Sequence, residues 1–286
     1  MLFSYNVYAE MNTNDLIYID WNLFSILKNP ILKPHVLLDS FLKSNSDKVT
    51  IVYSDAHLGD LSKTSDELND VRKADLIYLS DKTKDLSIVK YFGRDNVEVG
   101  YRNAFEFYET NEFDNSTEPL AQFQIFVKQM TDNYGAIRDE IIKTHFKTDP
   151  KNICNFSVSQ LDQLIKMIGI CNSLKEFVEL GLKLRGDSTK NPLTHIDYYM
   201  TAYMSLDLIN FFPDSMNENS DFNNLLNDSK HSAYGSICKA FITNDNKCYH
   251  KSKLLFEYFG SKSKLIKTCK IKNIAELENC LNSLIQ

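Results

Sequence analysis

Two carboxylates in this chain close apolar runs in the same way. Leu16-Ile17-Tyr18-Ile19 ends in Asp20, and Ala240-Phe241-Ile242 ends in Thr243-Asn244-Asp245. A third carboxylate, Asp228, stands near the start of a short helical stretch, Asn227-Asp228-Ser229-Lys230-His231, upstream of the second run. Short apolar runs bounded by polar residues read as buried strands. Open α/β sheets place their chemistry outside the carboxyl ends of such strands. Carboxylate oxygens gathered at that edge are hard ligands, suited to a divalent cation. Each aspartate also has a plainer use, as the cap of the following helix or as a turn former.

The elements that must position these residues alternate at both ends of the chain. A strand at 16–19 is followed by helical stretches at 24–27 and 36–42, interrupted near Pro30. A β-branched strand at 49–53 follows, and Ser54 is a good cap for a helix in which Leu58, Leu61, Leu68 and Val71 recur through about residue 73. Residues 85–115 resist assignment, apart from a short strand at 96–102. Helical periodicity then fills 118–145, 158–168, 174–184 and about 194–212. The C-terminal part returns to alternation: a helix from about 227, a strand at 240–243, a helix at 249–259, a strand at 265–268 and a helix at 274–284. Helices alternating with short buried strands predict an α/β fold with one mostly parallel central sheet flanked by helices. A large helical insertion would loop out between its two halves. The expected organisation is an N-terminal part of the core over 1–115, the insertion over 116–190 and a C-terminal part of the core over 191–286.

Composition narrows the function classes. With 43% apolar residues the 286-residue chain can build a globular core, and with only 9 Gly and 6 Pro it favours helices and short loops. The six cysteines form no CxxC pair, so reduced core thiols are expected rather than a zinc site. No apolar run is long enough for a membrane span and no signal peptide is evident, so a cytoplasmic protein with no membrane partner is expected. A net charge of −6 disfavours undirected nucleic-acid binding. The charge is uneven, however: seven lysines lie between Lys251 and Lys272 against Glu257 alone. There is no GxSxG, no GxGxxG and no GxxxxGK[ST], which leaves serine-hydrolase and glycine-loop nucleotide chemistry without support.

Four short motifs, in order, give the chain its resemblance to the PIN-domain nucleases. The first is the apolar strand ending Asp20-Trp21-Asn22. The second is Ser54-Asp55-Ala56-His57-Leu58-Gly59-Asp60, which matches a Ser-x-x-His helix start with an acid three residues after the histidine. That acid is more commonly Glu in the family. The third is Asp228 with His231, and the fourth is Thr243-Asn244-Asp245 with Lys251 beyond it. The resemblance covers roughly 14–80 and 195–270. It implies a PIN-like central parallel sheet whose strand tips gather Asp20, Asp60, Asp228 and Asp245 around Mg²⁺ or Mn²⁺.

On this resemblance Asp20 and Asp245 are the inner ligands and Asp60 and Asp228 approach from helices. Asn22 and Thr243 orient carboxylate oxygens, and His231 steadies Asp228 or meets substrate. Lys251 contacts a phosphate without reading sequence. Asp55 is the fallback acid and more simply complements its helix dipole. Tyr18, Trp21 and Tyr53 offer stacking surfaces or fill the core. His35, His145, His195 and His250 show no ligand spacing. The implied activity is metal-dependent endoribonucleolytic hydrolysis of RNA phosphodiesters, in the setting of a toxin or defence effector held by an inhibitor or partner protein. The alternative is a catalytically inactive PIN-like module that binds protein or RNA.

Overall fold

Four consecutive apolar residues in β1 (Leu16–Ile19) are all buried, which a strand achieves when both faces of its sheet are covered. The computed structural model describes residues 12–91, 97–110, 118–184, 195–212, 221–269, 271 and 273–286. After β1 come α1 (Trp21–Leu27), α2 (Lys33–Ser44), β2 (Thr50–Ser54), α3 (Asp55–Leu61), α4 (Asn69–Thr83), β3 (Leu86–Val89), β4 (Glu98–Tyr101) and α5 (Ala104–Glu109). Four helices follow, α6 (Glu118–Thr144), α7 (Val158–Ile168), α8 (Leu174–Leu184) and α9 (His195–Leu208). The chain closes with α10 (Asp221–Ile237), β5 (Ala240–Thr243), α11 (Asn246–Phe259), β6 (Lys264–Lys267) and α12 (Ile274–Asn282). It divides into two units, Met1–Asp114 with Tyr234–Tyr249 and Lys262–Gln286, and Asn115–Ala233 with His250–Ser261. The domain boundaries expected at 115/116 and 190/191 lie outside the described residues, as do Asn96, Lys270 and Lys272.

The first unit is α/β. Its six strands lie in the order β4-β3-β2-β1-β5-β6, and all neighbours are parallel except the edge pair β3 and β4. The parallel strands therefore present their carboxyl ends at one edge. Tyr18 is opposite Val52 on one side and Phe241 on the other, and Ile19 is opposite Ile242. Because side chains alternate along a strand, Ile17 and Ile19 enter one core. There they join Ile242, Ile266 and residues of the flanking helices, among them Leu23, Phe24, Leu38, Leu76 and Leu277. Tyr18 and Phe241 face the other way, where Gly235 of α10 lets the helix lie against the Phe241 ring.

Three elements differ from their expected course. β3, unassigned from sequence, is a fully buried four-residue strand. It is entered through Lys84 and Asp85, both in the left-handed region at φ 52° and 60°, so no glycine or proline marks the turn. The helix expected from Ser54 to residue 73 is two helices joined by a 3₁₀ turn, Asp66–Leu68. α10 begins at Asp221, so Asp228 lies two turns inside a helix rather than at its start.

The second unit is described by helices alone. α9 is buried from Tyr199 through Leu208 without interruption. A helix buried on all sides must be covered by neighbours, and its polar residues need partners there, as Asp207 has in Lys251. α7 is punctuated at both ends, by the capping box of Ser157 with Gln160 and by Gly169 at φ 84°. Among the described residues no helix is long and apolar enough to cross a membrane.

An alanine Cβ at position 235 would lie 2.5 Å from Phe241 Cγ and 2.7 Å from Phe241 Cβ. Neither atom is the free end of a flexible chain, so α10 or β5 must move. Gly235→Ala should destabilise the fold by about 1–3 kcal/mol, read as a lower midpoint in urea unfolding. A midpoint unchanged from wild type would contradict this close packing.

Candidate functional site at the strand tips

Parallel pairing of β1 with β5 brings the two strand-end aspartates to one place. The Asp20 N–H donates to the Ile242 carbonyl at 3.1 Å, which continues the ladder one residue past β1. The Asp20 side chain is almost wholly buried. Its Oδ1 accepts the Leu23 N–H at 2.8 Å and so caps α1, and its Oδ2 accepts the Thr243 hydroxyl. Thr243 Oγ1 in turn accepts the Asp245 N–H at 3.0 Å. Asp245 Oδ1 accepts the Cys248 N–H at 2.6 Å and caps α11. One threonine hydroxyl thus joins the two aspartates. The free N–H groups of two helix starts offset the repulsion between the two carboxylates. Asp245 is half-buried, and its Oδ2 has no hydrogen-bond partner among the described residues.

The corner between β5 and α11 is braced from outside. His35 Nε2 of α2 lies 3.0 Å from Asn244 Oδ1, and the Thr268 hydroxyl donates to the same oxygen at 3.1 Å. His35 carried no ligand spacing in the sequence, and nothing local could reveal a partner so far along the chain.

The tip of β2 holds a second polar group. The Ser54 N–H donates to His57 Nδ1 at 3.0 Å, and His57 Nε2 lies 2.8 Å from the Ile19 carbonyl oxygen. Nδ1 must therefore accept while Nε2 carries the hydrogen, so the buried ring is neutral and in one tautomer. His57 ties the start of α3 to the end of β1. The Tyr18 hydroxyl meets Ser54 Oγ at 2.5 Å. Burial pushes the Tyr18 hydroxyl well above its ordinary range; the bond to Ser54 pulls the other way, and Asp55, Cys238 and Asp60 add to the rise. Tyr234 behaves alike: burial dominates, the Asp55 carboxylate to which it donates adds to the rise, and the Lys90 N–H, 2.9 Å away, opposes it. Asp55 is thus almost fully buried against tyrosine hydroxyls, whereas Asp60 holds the Lys63 ammonium at 2.5 Å one turn along α3.

The remaining candidates have other settings. Asn22 is exposed on α1, and Tyr18 and Tyr53 are core residues at 0% exposure, away from any free base. Asp228 and His231 belong to the second unit, on α10, where Asp228 is half-buried and His231 is buried. Lys251 also belongs to that unit. Its ammonium is fully enclosed, 2.7 Å from Asp207 of α9 and 4.8 Å from the centre of the Tyr203 ring. A chain of hydroxyls, Tyr199 to Ser232 at 2.8 Å and Ser232 to Ser252 at 2.6 Å, links α9, α10 and α11. Among the described residues no three His, Cys, Asp or Glu side chains gather as a metal-holding group. Comparison with known protein families, with curated proteins and with solved structures gives no match for the chain.

Two outcomes follow from this geometry. Thr243→Val keeps the shape but removes both hydrogen bonds of the joint and leaves a buried carboxylate oxygen short of a donor. It should lower stability by about 2–3 kcal/mol, measured by denaturant unfolding; a wild-type value would show that the joint carries no weight. The tyrosines set the alkaline limit. Tyr78 is pushed up to about 12, by burial first and then by Asp39 and Asp81. A folded-state value raised above the unfolded one of roughly 10 stabilises the fold below that pH, and this contribution is lost as pH climbs through about 12. Stability should therefore fall across that window, and 295 nm absorbance should show Tyr18 and Tyr234 ionising only as the chain unfolds.

Proposed function

We propose that this chain is a metal-dependent endoribonuclease of PIN-like type, cutting RNA phosphodiesters at the edge that carries Asp20 and Asp245. The observation that carries this reading is the joint itself. Two aspartates 225 positions apart (245 − 20) end neighbouring parallel strands and share one buried hydroxyl. Strand tips of an open α/β sheet are where such folds bind their ligands.

The donor set fits Mg²⁺ or Mn²⁺. Both carboxylates are hard oxygen donors, and Asp245 Oδ2 is left without a hydrogen bond among the described residues. Magnesium commonly relies on one or two carboxylates, water and substrate phosphate rather than an all-protein cage. On this reading Asp20 and Asp245 hold the ion, and Asp60, on α3 of the same unit, is the further acid. A bound divalent ion supplies an acidified water and neutralises charge on the phosphate. Thr243 fixes the Asp20 carboxylate, and the helix starts at Leu23 and Cys248 hold the two acids at their strand ends. The helical segment 116–190 would then be an insertion into a PIN-like core. The proposed setting is the cytoplasm, as a toxin or defence effector restrained by a partner protein.

The second reading is a PIN-like module that binds RNA or protein without cutting. It is favoured by the helix-capping bonds of Asp20 and Asp245, which need no metal. Purified protein should cleave single-stranded RNA in Mn²⁺ and melt at a higher temperature with Mn²⁺ than without. Asp20→Asn and Asp245→Asn should each lose at least roughly a hundredfold in rate, since metal charge stabilisation is worth several kcal/mol. RNA binding with no cleavage under Mg²⁺ or Mn²⁺ would establish the module instead.

A further inference from the structure

The row of side chains at the strand tips continues one strand beyond Thr243. Thr243 is paired with Lys267 in the ladder of β5 and β6. Partners in a parallel ladder share a face, so Asp20, Thr243 and Lys267 stand side by side on three neighbouring strands. Lys267 is half-buried. Its ammonium donates to Asn246 Oδ1 at 2.6 Å and lies 5.0 Å from the centre of the Tyr249 ring. Both partners sit in the first turn of α11, the helix that Asp245 caps.

Most of the lysines held in place have a carboxylate partner; Lys264 meets the Ser283 hydroxyl at an exposed position, and Lys267 is half-buried. Lys63 has Asp60, Lys28 has Asp75 and Lys251 has Asp207, whereas no carboxylate pairs with Lys267 among the described residues. A neutral amide and a ring orient the ammonium without cancelling its charge. An ammonium has three N–H donors, and Asn246 takes one. A partly desolvated cation with spare donors, fixed on the same edge and face of the sheet as Asp20 and beside the helix that Asp245 caps, is complementary to an anion that approaches that edge.

We propose that Lys267, oriented by Asn246 and Tyr249, seats a backbone phosphate of single-stranded RNA next to the bond that is cut. The ligand's identity rests on the nuclease reading; the seat itself rests on the ladder register and the missing counter-charge. Lys267 takes the part that the resemblance assigned to Lys251, whose ammonium is enclosed with Asp207. The contact positions the strand and reads no base.

Fluorescence anisotropy of a labelled single-stranded RNA oligomer, titrated in Ca²⁺ at several salt concentrations, tests the seat apart from cleavage. Lys267→Met should weaken binding about tenfold and flatten the slope of log affinity against log salt by about 0.7, the share of one phosphate contact on a single strand. Lys267→Arg should retain most of the affinity. Asn246→Asp should weaken binding while leaving Lys267 in place, because it supplies the missing carboxylate. All three should keep the Mn²⁺-induced rise in melting temperature, which excludes loss of fold. The seat is overturned if Lys267→Met binds with wild-type affinity and slope, or if wild type binds no single-stranded RNA. Wild-type cleavage with no effect of Lys267→Met on binding removes the seat and leaves the nuclease. The Lys267 effect without cleavage in Mn²⁺ removes the nuclease and leaves the seat.

Discussion

The Thr243 hydroxyl is the constraint on which the strand-tip edge depends. It has one proton to give and lone pairs to receive, and both functions are used: the proton goes to Asp20, and the Asp245 N–H is received. Thr243 is fully buried, so water cannot stand in for it. The hydroxyl can serve both sides only if β5 keeps its register against β1. That register rests on Phe241 and Ile242, and Phe241 keeps its place because Gly235 leaves room for the ring. A glycine in a helix thereby governs the spacing of two acids it never touches.

β1 is held from its other side by the neutral His57 ring, which spans the Ser54 N–H and the Ile19 carbonyl. Ile19 immediately precedes Asp20, so the backbone at the first acid is fixed through β2 as well as through β5. The hydroxyls of Tyr18 and Tyr234 fill the space beside this brace and hold Asp55 within it. Buried polar groups of this kind usually find a partner; here the His57, Tyr18, Ser54 and Tyr234 groups do so, and Asp55 Oδ1 is the buried oxygen beside them with no hydrogen bond among the described residues.

What the sequence disclosed follows from how local each signal is. β1 and β5 were legible to the residue, because contiguous apolar runs ending in a polar turn need no partner to be recognised. α7 and α8 were legible for a related reason, through clear helical periodicity over 158–168 and 174–184. β3 was not: four buried residues leave no alternation to count, and the left-handed turn before it is made by Lys84 and Asp85 rather than by glycine. The early start of α10 was hidden by Asp221, Asn223 and Asn224, turn-favouring residues that read as loop. The basic run after Asp245 was visible as composition, but its lysines have opposite fates. Lys251 is enclosed with Asp207, and Lys267 lies at the edge with only an amide and a ring. That difference is set by pairings across dozens of residues, which a linear pattern does not contain. His35 and Asn244, 209 positions apart, are the extreme case.

The position of β5 between β1 and β6 has a consequence for synthesis. β1 and β2 are made early, yet the other side of β1 stays a bare row of amide and carbonyl groups until residue 240 is translated. At about 5–20 residues per second the interval is roughly 10–40 s. Throughout it the nascent chain exposes an unpaired, wholly apolar central strand, the kind of edge that recruits foreign strands. Ribosome-associated chaperones would therefore matter more for this polypeptide than its modest size suggests.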